Sequence, residues 1–116
     1  MTTFVILPRV NRLNTEGVHR MKPSIAYQRH REAIRQIVER HHAKNPRIFG
    51  SVLHEQDTDE SDLDILVDTT DETSLFDIGA IRAELTELLG VEVDVLTPAA
   101  LPDRWKKEVL NEARSV

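Results

Sequence analysis

Apolar residues along the chain fall into short runs whose period switches between that of a helix and that of a strand. Tyr27, His30, Ile34, Ile37, Val38 and His41 recur at three- and four-residue spacing, and Arg29, Glu32, Gln36, Glu39 and Arg40 occupy the opposite side. With Ser24 as its N-cap, this pattern predicts a helix to about His42. Asn45-Pro46 breaks it, because the residue before a proline is pushed out of helical backbone. Arg47-Ile48-Phe49 then reads as a strand that stops at Gly50-Ser51, followed by a short helix over 52–56 and a loop over 57–61.

The second half repeats the alternation. Leu63, Ile65 and Val67 take one face of a strand, and Asp62 and Asp64 take the other. After a polar loop over 69–73, Ser74 caps a helix whose apolar stripe is Ile78, Ile81, Leu85, Leu88 and Leu89, and Gly90 ends it. Residues 91–96 form a strand with Val91, Val93 and Val95 on one face and Glu92 and Asp94 on the other. Thr97-Pro98 opens a helical turn. Pro102 restarts a last helix, with Trp105, Val109 and Ala113 turned inward. This order predicts an α/β (α+β) domain: a small mixed β-sheet with helices packed on one face and carboxylates exposed on the other.

Length and composition narrow the picture. The 116 residues suffice for one core. Residues 1–20 show no clear period, and Met21-Lys22-Pro23 would make a plausible start of its own, so residues 1–22 read as a flexible extension and the domain is assigned to 23–116. Without a cysteine, neither a disulfide framework nor a thiolate metal site is available. No apolar run approaches the ~18 residues a bilayer span needs, and a cytoplasmic location is expected. Up to Lys44 there are nine Lys or Arg against three acids; beyond it there are six against seventeen. Such an acidic body is a poor surface for phosphate backbones, so no direct nucleic-acid binding is expected. It suits a basic partner or a divalent cation better.

The candidate chemistry lies in residues 47–68. Asp62 and Asp64 project side by side, and two adjacent carboxylates repel unless a cation lies between them. A few hard oxygen ligands suit Mg²⁺, which takes its other ligands from water and substrate phosphates. Gly50 permits a tight turn close to a phosphate, and Ser51 offers a hydroxyl at the head of a helical turn. Asp94 joins the two aspartates if its strand is the neighbour. Two ions about 3.5–4 Å apart would then clamp an in-line phosphoryl displacement. Competing metal readings fail. Asp57-x-Asp59-x-Ser61 lacks the glycine and terminal glutamate of a calcium loop, and His41-His42 has no companions at zinc-ligand spacing.

Gly50-Ser51, ten intervening residues and Asp62-x-Asp64 resemble the signature of the polymerase-β-type nucleotidyltransferase superfamily. With the segment from Leu89 to Pro98, the chain from about Ile25 to Ala113 is similar to the minimal nucleotidyltransferases, often antitoxins paired with HEPN-type RNase toxins. Many minimal members carry Ala-Arg-Gly-Glu after Gly-Ser-Val, where this chain has Leu53-His54-Glu55-Gln56.

The resemblance implies a polymerase-β-like fold and transfer of AMP from ATP to a hydroxyl, a tyrosine of a HEPN toxin being the implied acceptor. Asp62, Asp64 and Asp94 would be catalytic and metal-binding, with two Mg²⁺ ions, and Gly50 and Ser51 would bind the nucleotide. A hetero-oligomer with the toxin follows. The alternative is an antitoxin of the same fold that neutralises its toxin by binding alone, and histidine in place of the usual arginine at position 54 favours it.

Overall fold

The alternating run at 63–69 becomes the second strand of a four-stranded sheet. The structure, a computed structural model, describes residues 21–54 and 56–116; the proposed extension over residues 1–22 therefore lies almost wholly outside the described residues. In chain order the elements are α1 (Pro23–Arg29), α2 (Arg31–Arg40), β1 (Ala43–Phe49), a 3₁₀ turn (Gly50–Val52), β2 (Leu63–Thr69), α3 (Leu75–Leu89), β3 (Val93–Leu96), a second 3₁₀ turn (Pro98–Ala100), α4 (Asp103–Glu112) and β4 (Arg114–Ser115). The strand order is β3-β2-β1-β4. β1 runs antiparallel to both β2 and β4, whereas β2 and β3 are parallel and joined through α3, as a parallel pair requires a crossover. The expected mixed sheet is therefore present.

Its core lies on one face. Leu63, Ile65 and Val67 of β2 and Val93 of β3 are fully buried, and Ile48 of β1 is buried with them. Against them pack Ala26 and Tyr27 of α1, Ile34, Ile37 and Val38 of α2, and Ile81, Leu85 and Leu89 of α3. His30 and His41, at the edges of that helical face, are half-buried. Ser74 caps α3 as expected: the Asp77 amide donates to its hydroxyl and the Asp77 carboxylate accepts from its amide. Gly90 closes the helix at φ 72°. Among the described residues no helix is long and apolar enough to cross a membrane.

Several boundaries differ from the sequence reading. The first helix is two helices. His30 leaves helical backbone (φ −126°, ψ 28°), its N–H donates to Tyr27 O to close α1, and its carbonyl accepts the Ile34 N–H to open α2. Neither glycine nor proline marks that break. Lys22, not Ser24, is the N-cap, with Pro23 in the first turn. The Ser24 amide instead donates to Asp57 from a distant loop.

Asn45-Pro46 lies inside β1 as a bulge, with Asn45 at φ 56°. Its amide side chain donates to Asp68, and the Pro46 carbonyl takes the Val116 N–H, so a breaker motif is absorbed at an irregularity in the ladder. The short helix after the glycine is one 3₁₀ turn that begins at Gly50 itself. Leu88 and Trp105 are 38% and 51% exposed, and α4 buries none of its residues.

Candidate active site

β1, β2 and β3 bring the motif together. Phe49, the last residue of β1, is the register partner of Asp64, and Asp64 is in turn the partner of Asp94 on β3. Alternation puts Asp62, one residue before β2, on the same face as Asp64. The backbone entrance to β2 is fixed by the Leu63 amide, which donates to Glu92 O at 2.9 Å. Glu92 itself lies before β3 and is buried. Its carboxylate is 3.6 Å from Arg82 of α3, which also donates to Val93 O. That strap fixes the approach to β3, and with it the position of Asp94.

Gly50 makes room for the central carboxylate. It sits at φ 81°, and a Cβ there would lie 2.6 Å from Asp64 Oδ2. Only glycine satisfies both the left-handed backbone and this approach. Beyond it, Val52 and Leu53 are buried and anchor the turn, and the Gln56 amide donates to Ser51 O at 2.9 Å. Ser51 is half-buried within the turn.

Asp64 shows the electrostatic consequence. Its carboxyl is raised to about 6, first by burial, then by the negative charges of Asp94 and Asp62. A partly desolvated carboxylate with two like-charged neighbours is unfavourable as an anion until a cation compensates it. All three groups offer hard oxygen donors, so the set fits Mg²⁺. Among the described residues no three His, Asp or Glu side chains already close around one point. Mg²⁺, which keeps waters and takes substrate phosphate oxygens, does not need them to.

Sequence reasoning missed three residues around this centre. Asp57, in the loop between Gly50-Ser51 and Asp62, is 6% exposed and bonds to Ser24 N at 2.9 Å. Glu112 of α4 lies 3.0 Å from His54 Nε2, which ties the turn to the last helix. Arg82, outside the apolar stripe read for its helix, gains a role only through tertiary placement against Val93 and Glu92. An acid in a loop gives no local signal that it will be buried.

The sheet sets three aspartates beside a glycine-led turn, and the family comparison gives the class: a nucleotidyltransferase. The chain belongs to the family described as polymerase beta, nucleotidyltransferase, which matches residues 32–116. It is 41% identical over 80 residues to a Methanocaldococcus jannaschii chain named as a protein adenylyltransferase, covering 69% of this chain and 86% of that one. It is 32% identical over 78 residues to the protein adenylyltransferase MntA of Thermococcus cleftensis, covering 67% and 79%. A solved structure described as a minimal nucleotidyltransferase superposes with a TM-score of 0.73 at 32% identity, over 87% of this chain and 99% of that one. A toxin–antitoxin structure with AMP-PNP shares the fold, with a TM-score of 0.62 at 17% identity, over 72% and 69%.

Proposed function

We propose that this nucleotidyltransferase moves AMP from ATP onto a hydroxyl of a partner protein, a tyrosine of a HEPN-type RNase toxin, and so acts as its antitoxin. The observation that carries the reading is the crowding of Asp64 by Asp94 and Asp62 beside Gly50. The names of the two adenylyltransferase relatives and the nucleotide-bearing toxin–antitoxin neighbour support the donor and the partner.

Asp62 and Asp64 would hold two Mg²⁺ ions with Asp94. When bound, the ions supply Lewis-acid neutralisation of charge on the α-phosphate and on the departing pyrophosphate. Gly50 and Ser51 would bind the β- and γ-phosphates through backbone amides and the serine hydroxyl. Asp94 would take the proton of the acceptor hydroxyl. The new bond joins the acceptor oxygen to the α-phosphorus, the bond from that phosphorus to the bridging oxygen breaks, and pyrophosphate leaves.

The test incubates the protein, the product of its neighbouring gene as candidate toxin, Mg²⁺ and ATP, and reads intact mass on both chains. One or more AMP units on the toxin, lost with Asp64→Asn, is the expected result. Unchanged transfer by Asp64→Asn would overturn the assignment.

One observation favours a second reading, neutralisation by binding alone. His54, at the position where many minimal relatives carry arginine, faces Glu112. A stable complex that silences the toxin with no added mass, and equally well with both Asp62 and Asp64 replaced, would establish that reading.

A further inference from the structure

The catalytic motif is interrupted by a polar loop, residues 56–61, that is cross-linked by its own hydrogen bonds. The Thr58 amide donates to Ser61 Oγ at 2.9 Å, the Ser61 amide to Thr58 O, and the Glu60 amide to Thr58 Oγ1. One end is closed by the Gln56 amide on Ser51 O, within the proposed phosphate turn. The other end runs straight into Asp62. A closed loop still needs an anchor to the body of the fold, because local bonds fix its shape and not its place.

Asp57 is that anchor. Acidic side chains are rarely buried without a partner, yet Asp57 is 6% exposed. Its Oδ2 accepts the Ser24 amide at 2.9 Å. This amide lies in the first turn of α1, where N–H groups have no partner within the helix. α1 in turn is locked to the core through Ala26 and Tyr27. This bond across 33 positions therefore joins a core helix to the loop that runs from the Gln56 bond on Ser51 O to Asp62.

We infer that Asp57 is a positioning residue for nucleotidyl transfer: it docks the 56–61 loop on α1 and so sets Asp62 against the phosphate turn. The inference rests on the assignment of Asp62 as a Mg²⁺ ligand. What the position requires is a hydrogen-bond acceptor of aspartate's length, not a negative charge. Asp57 is not among the residues assigned to nucleotide or metal; its bond is to the Ser24 amide.

The experiment measures binding of AMP-PNP with Mg²⁺ by the full chain, using calorimetry, alongside amide hydrogen exchange at Ser24 and thermal unfolding. Asp57→Ala should weaken Mg²⁺-dependent binding by about 10–100-fold, the range seen when a partner supporting a metal ligand is removed. It should also expose the Ser24 amide to exchange. Asp57→Asn, which keeps an acceptor oxygen at the same distance, should bind within about threefold of the parent, a difference inside the usual context-dependence of one bond. Asp57→Glu keeps charge and acceptor but lengthens the arm, and should bind weakly in a folded protein. It carries the test if Asp57→Ala does not fold.

Normal binding by Asp57→Ala or Asp57→Glu would overturn the inference. So would an Asp57→Asn protein that loses binding while Ser24 stays protected, since charge would then be what matters. Asp62→Asn is measured in parallel. If it binds Mg²⁺ and AMP-PNP as the parent does, the ligand assignment has failed, whatever position 57 shows.

Discussion

Gly50 and Asp64 occupy a space that would not admit one more carbon: a Cβ on Gly50 would stand 2.6 Å from Asp64 Oδ2. The turn that ends β1 and the carboxylate at the start of β2 are therefore one unit. Gly50→Ala should act on both. Holding alanine at φ 81° costs about 1–2 kcal/mol, and the methyl must also push the Asp64 carboxylate aside. Denaturant unfolding should show the first effect. A loss of AMP transfer of about 100-fold, expected when a reacting group shifts by roughly an ångström, should show the second. Full activity in a destabilised protein would separate the turn from the site.

The raised Asp64 carboxyl, at about 6 against the ordinary 3.8, links the site to pH. Folding favours the protonated acid, so this contribution to stability is fully present below about pH 4 and is lost as pH rises through about 6. Asp64→Asn removes the penalty. It should unfold at a higher temperature than the parent at pH 8 without metal, and the difference should fade below pH 4. Under the proposed assignment of Asp64 as a Mg²⁺ ligand, binding needs the ionised form, so the stabilising shift by Mg²⁺ on the parent should grow from pH 5 to pH 8. Thermal unfolding with and without Mg²⁺ across that range checks both. An Asn variant no more stable than the parent at pH 8 would contradict the electrostatics.

The start of α3 predicts a change in stability without one in chemistry. Ser74 and Asp77 bond to each other reciprocally, and the Asp77 carboxyl is held below its ordinary value, chiefly by the Ser74 backbone amide. They stand beyond the far end of β2 from Asp62 and Asp64. Ser74→Ala should cost about 1 kcal/mol, the usual value of such a cap, and leave AMP transfer unchanged. Denaturation midpoints and transfer rates on the same preparation decide this.

What could be read from the sequence was whatever has a local cause. The period of α3, its serine cap and glycine stop, the alternation around Asp64 and the face shared by Asp62 and Asp64 all follow from spacing alone. The parallel pairing that makes Asp94 the partner of Asp64 was legible only as a condition, since strand order is a tertiary fact. Contacts between distant segments left no trace: Asp57 capping α1, Arg82 strapped to Val93, and the two-residue β4 paired to β1. Asn45-Pro46 misled for the same reason. A proline that looks like a breaker is acceptable in β1 because a bulge and the Val116 amide accommodate it.

α4 is where helical periodicity and packing part company, and Trp105 tests the difference. The spacing of Trp105, Val109 and Ala113 is that of a buried stripe, yet Trp105 is 51% exposed, with Arg104 stacked 4.9 Å over its ring. The helix is held at its ends instead. Buried Leu101 precedes it, Glu112 meets His54, and Val116 beyond it is buried with its carbonyl bonded by Arg35. A helix secured that way does not depend on its central ring. Trp105→Ala should therefore cost about 1 kcal/mol or less, against about 3–5 kcal/mol for a buried tryptophan. Because Trp105 is the chain's one tryptophan, its fluorescence reports the same fact independently: emission should be red-shifted and readily quenched by iodide. A large loss of stability together with blue-shifted, protected emission would mean that the stripe is packed in solution, as its spacing alone implies.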